Sequence, residues 1–338
     1  MLFKLCSLYS PKPGSEHDAA NGEETRIKRF DFIADENFLL VALLSSDDFI
    51  DVYYKTGSTV KICRRSIGEF YDDDSSAVLV TLLPDACAVA IVFTNGSVLT
   101  IPIKYFLAVS WGCDSKFAQT ITFHTANCAQ TAECSPPVSS ACFTSKLSNR
   151  VVLVFATAEG YIVIWDLTAE SKEEDTYLIV FCEDGEQWEI PLEHEGRTIR
   201  DTLAHVIPSE LKPISPAAIF TDKQTQIFYD SKKNELYLRQ LSSISFATLP
   251  VRKFIPKCLP RLVHFDQDLL TIVDESDDVF VTPHFTSNVP VDDVYYPVLA
   301  DRPQRVLGFL PSVHSHVSQL FEPVIVTEFG IASMKALK

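Results

Sequence analysis

Four residues in a short span carry donors that a zinc ion accepts: His124, Cys128, Cys134 and Cys142. Zinc takes imidazole nitrogen and thiolate sulfur at tetrahedral positions, and structural sites usually bring the donors in close pairs. Here three, five and seven residues intervene, with no second pair. The span therefore reads as a polar loop with incidental thiols. His314 and His316 could share one face of a strand, since residues two apart do. No glutamate or third histidine stands in a recognisable relation to them. Asp72, Asp73 and Asp74, the pair Asp277 and Asp278, and the pair Asp292 and Asp293 are carboxylate clusters. Calcium needs more oxygen ligands on an ordered loop with a glycine turn, so these read as solvated corners and as charge guarding strand ends. Lys61, Arg64 and Arg65 form a small basic island that reads as surface charge, with an acidic partner as the sharper alternative. No glycine-rich phosphate loop or nucleophile elbow is present. No catalytic, cofactor-binding or metal-ligating residue is assigned, and no cofactor is expected.

The bulk composition narrows the class. The 338 residues are 46% hydrophobic, with a mean hydropathy of +0.10, so a large core is available and disorder is not expected. Acidic residues outnumber basic ones 45 to 29, for a net charge of −16. That balance argues against a phosphate-binding surface, so no nucleic-acid partner is expected. Nine cysteines are scattered through the chain, with Cys63, Cys87, Cys142 and Cys182 inside apolar runs. This is the pattern of buried reduced thiols, not of a secreted disulfide framework. No signal peptide is recognisable and no apolar run approaches about 18 residues, so no transmembrane segment is expected. A cytoplasmic location follows, with any attachment to organelle membranes peripheral and made through partners.

The elements that position these residues are short strands. Residues 151–156 and 161–167 are two apolar, β-branched and aromatic runs around a polar turn containing Gly160, ending on Trp165 and Asp166. Such residues suit a pleated, buried surface, and the runs are too short for ordinary helices. Residues 27–64 offer four runs, at 27–33, 38–44, 49–55 and 59–63, separated by Asp, Asn, Ser and Gly. Residues 77–107 repeat the plan, with Asn95 and Gly96 at a hairpin corner. First strands are expected to begin near 27, 77, 138, 217, 261 and 306, and the long gap after 138 has room for another unit. A strand is expected at 117–123, a short inserted helix near 195–211, and a first strand at 1–9 that shuts a ring against the last unit. Asp47, Asp48, Asp72, Asp73, Asp277 and Asp278 are expected in exposed loops.

The segment GYIVIWDL at 160–167 resembles the close of a WD repeat, and the strand rhythm resembles a divergent WD-repeat β-propeller. The Gly-His pair of each repeat is absent, and glycine totals only 11. The resemblance implies an all-β propeller of six or seven blades forming a single domain over 1–338. A polar loop at 10–24 and a long inter-blade loop at 111–137 belong to that reading. A pair of β-sandwich domains is the competing architecture. Eroded propellers of this kind resemble those at the N-termini of coat and tethering subunits in vesicle traffic, and others in nuclear-pore and kinetochore scaffolds. The resemblance implies a non-catalytic scaffold whose partners are other subunits of a multi-subunit cytosolic complex in vesicle or endolysosomal traffic. The alternatives are an enzyme with its site in the central channel and a nuclear-pore or kinetochore-type scaffold.

Overall fold

The structure is a computed structural model of the chain. It describes residues 2–12, 24–35, 37–71, 75–83, 87–108, 116–124, 137–145, 150–157, 162–166, 177–181, 186–191, 204–206, 211–213, 225–230, 235–240, 249–253, 260–266, 269–283, 296–311 and 323–337. Side chains are described within 3–123 and 260–337 of that set.

The chain opens with strand β1, Leu2–Tyr9. The first four-stranded sheet is β2 (Ile27–Ala34), β3 (Phe38–Ser45), β4 (Phe49–Thr56) and β5 (Thr59–Ser66). The second is β6 (Ala77–Leu83), β7 (Ala88–Phe93), β8 (Val98–Pro102) and β9 (Thr122–His124). Then come β10 (Pro137–Ser145), β11 (Arg150–Thr157) and β12 (Ile162–Asp166), followed by β13 (Tyr177–Phe181), β14 (Glu186–Pro191) and β15 (Ala204–Val206). A further four-stranded sheet holds β16 (Leu211–Pro213), β17 (Thr225–Asp230), β18 (Glu235–Gln240) and β19 (Leu249–Lys253). The last strands are β20 (Pro260–Asp266), β21 (Leu269–Asp274), β22 (Val279–Pro283), β23 (Tyr296–Leu299), β24 (Val306–Leu310), β25 (Val324–Thr327) and β26 (Gly330–Leu337).

Within each sheet the strands run in chain order and pair antiparallel, except at the end. There β26 pairs antiparallel with β1, from Leu2↔Leu337 to Tyr9↔Ile331. The first strand of the chain thus becomes the outer strand of the last blade. β1 also meets β23 in a short parallel pairing, Phe3↔Val298 and Lys4↔Leu299, which joins two blades into one eight-stranded sheet. Counted as blades, the described strands make seven units, two of them with three described strands. The unit β13 to β15 fills the interval after residue 138. This is a β-propeller with few helices.

The core explains the apolar runs. Successive residues of a strand point to opposite faces, and β3 is buried along nearly its whole length. Leu40, Ala42 and Leu44 pack with Val80, Leu82 and Ile91 of the second blade. Leu39, Val41 and Leu43 pack with Leu310, Val324 and Val326 of the last blade. A strand covered on both faces reads as a continuous apolar run. The outer strand β5, by contrast, is exposed from Thr59 to Ile62. Inner strands lie side by side: β2 beside β6, β6 beside β10, and β2 beside β24.

Several expectations are corrected. Where a helix is expected over 195–211, the described residues are strands, Ala204–Val206 and Leu211–Pro213. β15 completes the edge of β14, with Glu186↔Val206, and sheet pairing overrides a helical spacing carried by only three apolar residues. The strand expected over 117–123 is shorter and later, Thr122–His124, preceded by the helical turn Lys116–Gln119. The unit expected to begin at 217 begins with β16 at Leu211. Cys63 and Cys87 are in no disulfide and are half-buried, not sealed in the core. Among the described residues no helix is long and apolar enough to cross a membrane.

Candidate functional site

Two features stand apart from ordinary core: a buried ionic node at the seam between the last and first blades, and the outer rim. The node begins with a local necessity. Gly57, at φ +53°, and Ser58 make the two-residue corner between β4 and β5, matching the glycine-first type II′ hairpin turn. That register places Asp51 directly opposite Arg64. The Arg64 guanidinium donates from Nη1 to Asp51 Oδ2 at 2.5 Å and from Nη2 to Asp47 Oδ2 at 2.6 Å. Its carbon lies 4.3 Å from the centroid of the Phe49 ring. Nη1 also reaches Ser45 Oγ at 3.3 Å, and Thr25 Oγ1 donates to Asp47 Oδ2 at 3.3 Å.

Asp51 is 0% exposed. Burial pushes its carboxyl up to about 6, outweighing the Arg64 charge and the Tyr9 hydroxyl within hydrogen-bonding reach, both of which pull it down. Burial also raises the Tyr9 phenol, and the nearby Asp51 charge adds to the effect. Tyr9 ends β1 and packs against Tyr53, ring centroids 6.4 Å apart. The node therefore fastens the chain's first strand to its first blade. Two carboxylates and a guanidinium mutually engaged at one seam are a structural clasp.

Acidic corners elsewhere act in the same way. Asp277, on the β21–β22 turn, pairs with Arg261 and accepts Val306 N–H at 3.0 Å from the next blade. Asp274 Oδ1 caps the same turn, accepting Ser276 N–H at 2.8 Å and Asp278 N–H at 3.0 Å. Glu328, on the β25–β26 turn, accepts Arg26 Nη1 at 3.1 Å, and its carbonyl accepts Ile27 N–H at 2.7 Å. Equivalent corners hold a residue at positive φ: Asp48, Gly96, Asp277 and Gly330. Aspartate and glycine tolerate that region better than branched residues.

Asp47 and Asp277 are thus partly buried structural residues, where free exposed loops were expected. Asp48 is half-exposed and bonds Lys28 Nζ at 3.3 Å. Asp278 is exposed. His124 closes β9, and Cys142 lies on β10 opposite Leu153. Cys128, Cys134, Asp72, Asp73, Asp74, Asp292, Asp293, His314 and His316 lie outside the described residues, as does Gly160. Trp165 and Asp166 close β12, with Val152↔Asp166. Among the described residues no group of three or more His, Cys, Asp or Glu could hold a metal.

The inner strands carry titratable groups that the propeller itself uses. Asp31 Oδ2 on β2 accepts Thr81 Oγ1 and Leu82 N–H of the next blade, both at 2.7 Å. His264 on β20 is buried and stacks on Phe309 of the following blade, centroids 4.9 Å apart. Several exposed large apolar side chains lie on outer strands: Leu8 on β1, Val60 and Ile62 on β5, Phe123 on β9 and Leu299 on β23.

These features define a β-propeller. The solved C-terminal WD40 domain of Sif2 is similar over 100% of this chain and 99% of its own, with a TM-score of 0.56 at 9% sequence identity. That likeness concerns the fold alone. A curated relative, the X-linked retinitis pigmentosa GTPase regulator homolog of Caenorhabditis elegans, is 26% identical over 235 residues, covering 64% of this chain. The match spans 16% of that relative's length. No family model matches the chain.

Sequence reasoning missed the node. The available signal was an aspartate inside the apolar run FIDVYY, balanced by Arg64 at the same distance beyond the Gly57 corner.

Proposed function

We propose that the span 1–338 works as a single non-catalytic scaffold domain that binds other proteins within a multi-subunit cytosolic complex. The observation that carries this reading is the division of labour in the blades whose side chains are described. Among the described residues, interior charges are engaged within and between blades, while apolar side chains remain exposed on outer strands. A rigid disc with an apolar rim suits docking, since exposed apolar groups mark contact surfaces when they cluster. Vesicle or endolysosomal traffic is the proposed setting, by analogy of fold. The test is affinity purification of the endogenous protein with identification of companions at matched stoichiometry. Recovery with trafficking subunits is expected. Recovery as a lone monomer with hydrolytic turnover would overturn the scaffold.

A second reading takes the partner to be a GTPase. It rests on the name of the curated relative, a GTPase regulator homolog. Titrating the purified chain against GTPases loaded with GDP or GTP would test it, and binding to neither form would remove it.

A further inference from the structure

The outer strand β5 combines three properties. Its far edge is paired with no strand among the described residues, since it ends its sheet. Its side chains alternate. Val60 and Ile62 share one face and are 46% and 43% exposed, while Lys61 and Arg65 share the other and are both exposed. Its backbone also has a fixed polarity. Thr56 and Thr59 flank the two-residue corner as partners. A two-residue hairpin makes that pair a hydrogen-bonded one, so the N–H groups of Thr59, Lys61 and Cys63 point to β4. Those of Val60 and Ile62 then point outward. Further along, Glu69 Oε1 accepts Ser66 N–H at 3.3 Å and closes that end of the edge. The same molecule already adds a strand at a blade's outer edge, where β1 pairs in parallel with β23.

We propose that the β5 edge binds an extended peptide segment in which apolar and acidic residues alternate, added as a fifth strand to the first blade. Apolar side chains of the segment lie beside Val60 and Ile62, and its carboxylates lie beside Lys61 and Arg65. Cross-strand neighbours on one face are the unit of such pairing, and main-chain bonds to an open edge supply affinity. The charge choice follows from the site. Arg64 is committed to Asp47 and Asp51, and Arg65 lies 3.3 Å from Glu69 in an exposed ion pair of the kind that water screens, so Lys61, exposed on the edge, leads the charge choice in a chain of net charge −16. This inference rests on the scaffold reading and names one of its docking surfaces.

The experiment titrates the full chain with a labelled eight-residue peptide of alternating valine and glutamate, followed by fluorescence anisotropy. Binding is expected, with a loss of about tenfold in the Lys61→Glu, Arg65→Glu double variant and a matching gain for a valine–lysine peptide. Peptide N-methylated at alternate positions, so that its edge-facing N–H groups are lost, should not bind. Hydrogen exchange should slow at Val60 and Ile62 in the complex. Binding that survives N-methylation, that ignores the charge reversal, or that is absent altogether overturns the proposal. Where the peptide fails and the endogenous protein still purifies with stoichiometric companions, the edge is wrong and the scaffold stands.

Discussion

Arg64 is the residue on which the first blade turns. Its side chain is 16% exposed and serves two carboxylates, one fully buried. Removing one partner of a buried pair leaves the other desolvated and unpaired, at a typical cost of about 3–5 kcal/mol. Arg64→Ala should therefore lower stability by that order in a chemical denaturation curve. Replacing both partners with apolar residues, Asp51→Leu with Arg64→Met, should cost much less. Asp51 adds a pH signature. Its folded value of about 6 lies above the ordinary 3.8, so the folded chain prefers it protonated. Its contribution is fully present below about pH 4, is lost as pH rises through 6, and changes no further beyond. In melting curves, wild type should therefore lose stability relative to Asp51→Asn between pH 4 and 6. A difference that stays flat across that window would show that Asp51 does not titrate there.

At the scale of elements, two glycines make a contrast. A Cβ at Gly330 would stand 2.0 Å from the Tyr9 carbonyl oxygen, at φ +131°. One at Gly308 would stand 2.5 Å from Phe30 Cζ, the far end of a ring. Backbone cannot step aside as a ring can, so Gly330→Ala should cost about 1–3 kcal/mol and exceed Gly308→Ala in the same thermal scan. Leu43→Ala, at a fully buried position between the first and last blades, should cost about 2–5 kcal/mol by the cavity it leaves. Strand rhythm was the legible part of the sequence. The four runs of residues 27–64 match β2 to β5 within three residues at their ends, because turn residues and two-sided burial both leave a mark in composition. Short pairings such as β15 on β14 were not legible, since three residues completing an edge have no periodicity of their own. Nor was the role of Asp47 and Asp277. An acidic corner reads as solvated until the register shows which arginine faces it.

At the scale of the molecule, the seam between first and last blades is built with the same devices as its neighbours. An apolar cluster spans it, with Val41 and Leu43 on one side and Val324 and Val326 on the other. Arg26 with Glu328, Tyr9 with Tyr53, and the Arg64 node add to it. The sequence showed that a strand opens the chain, but only coordinates show that it pairs along nearly its full length with β26. Everything proposed for the rim presumes that the ring is shut, since an open edge at β26 would be a stronger docking site than β5. The register supplies a direct measurement. Cys6 is a free thiol directly opposite Ser333, so Ser333→Cys under mild oxidation should produce an intramolecular crosslink between positions 6 and 333. A monomeric crosslinked peptide pair found by mass spectrometry is the result expected of a closed ring. Crosslinks only between separate chains, or none while the protein remains folded, would contradict closure and the scaffold built on it.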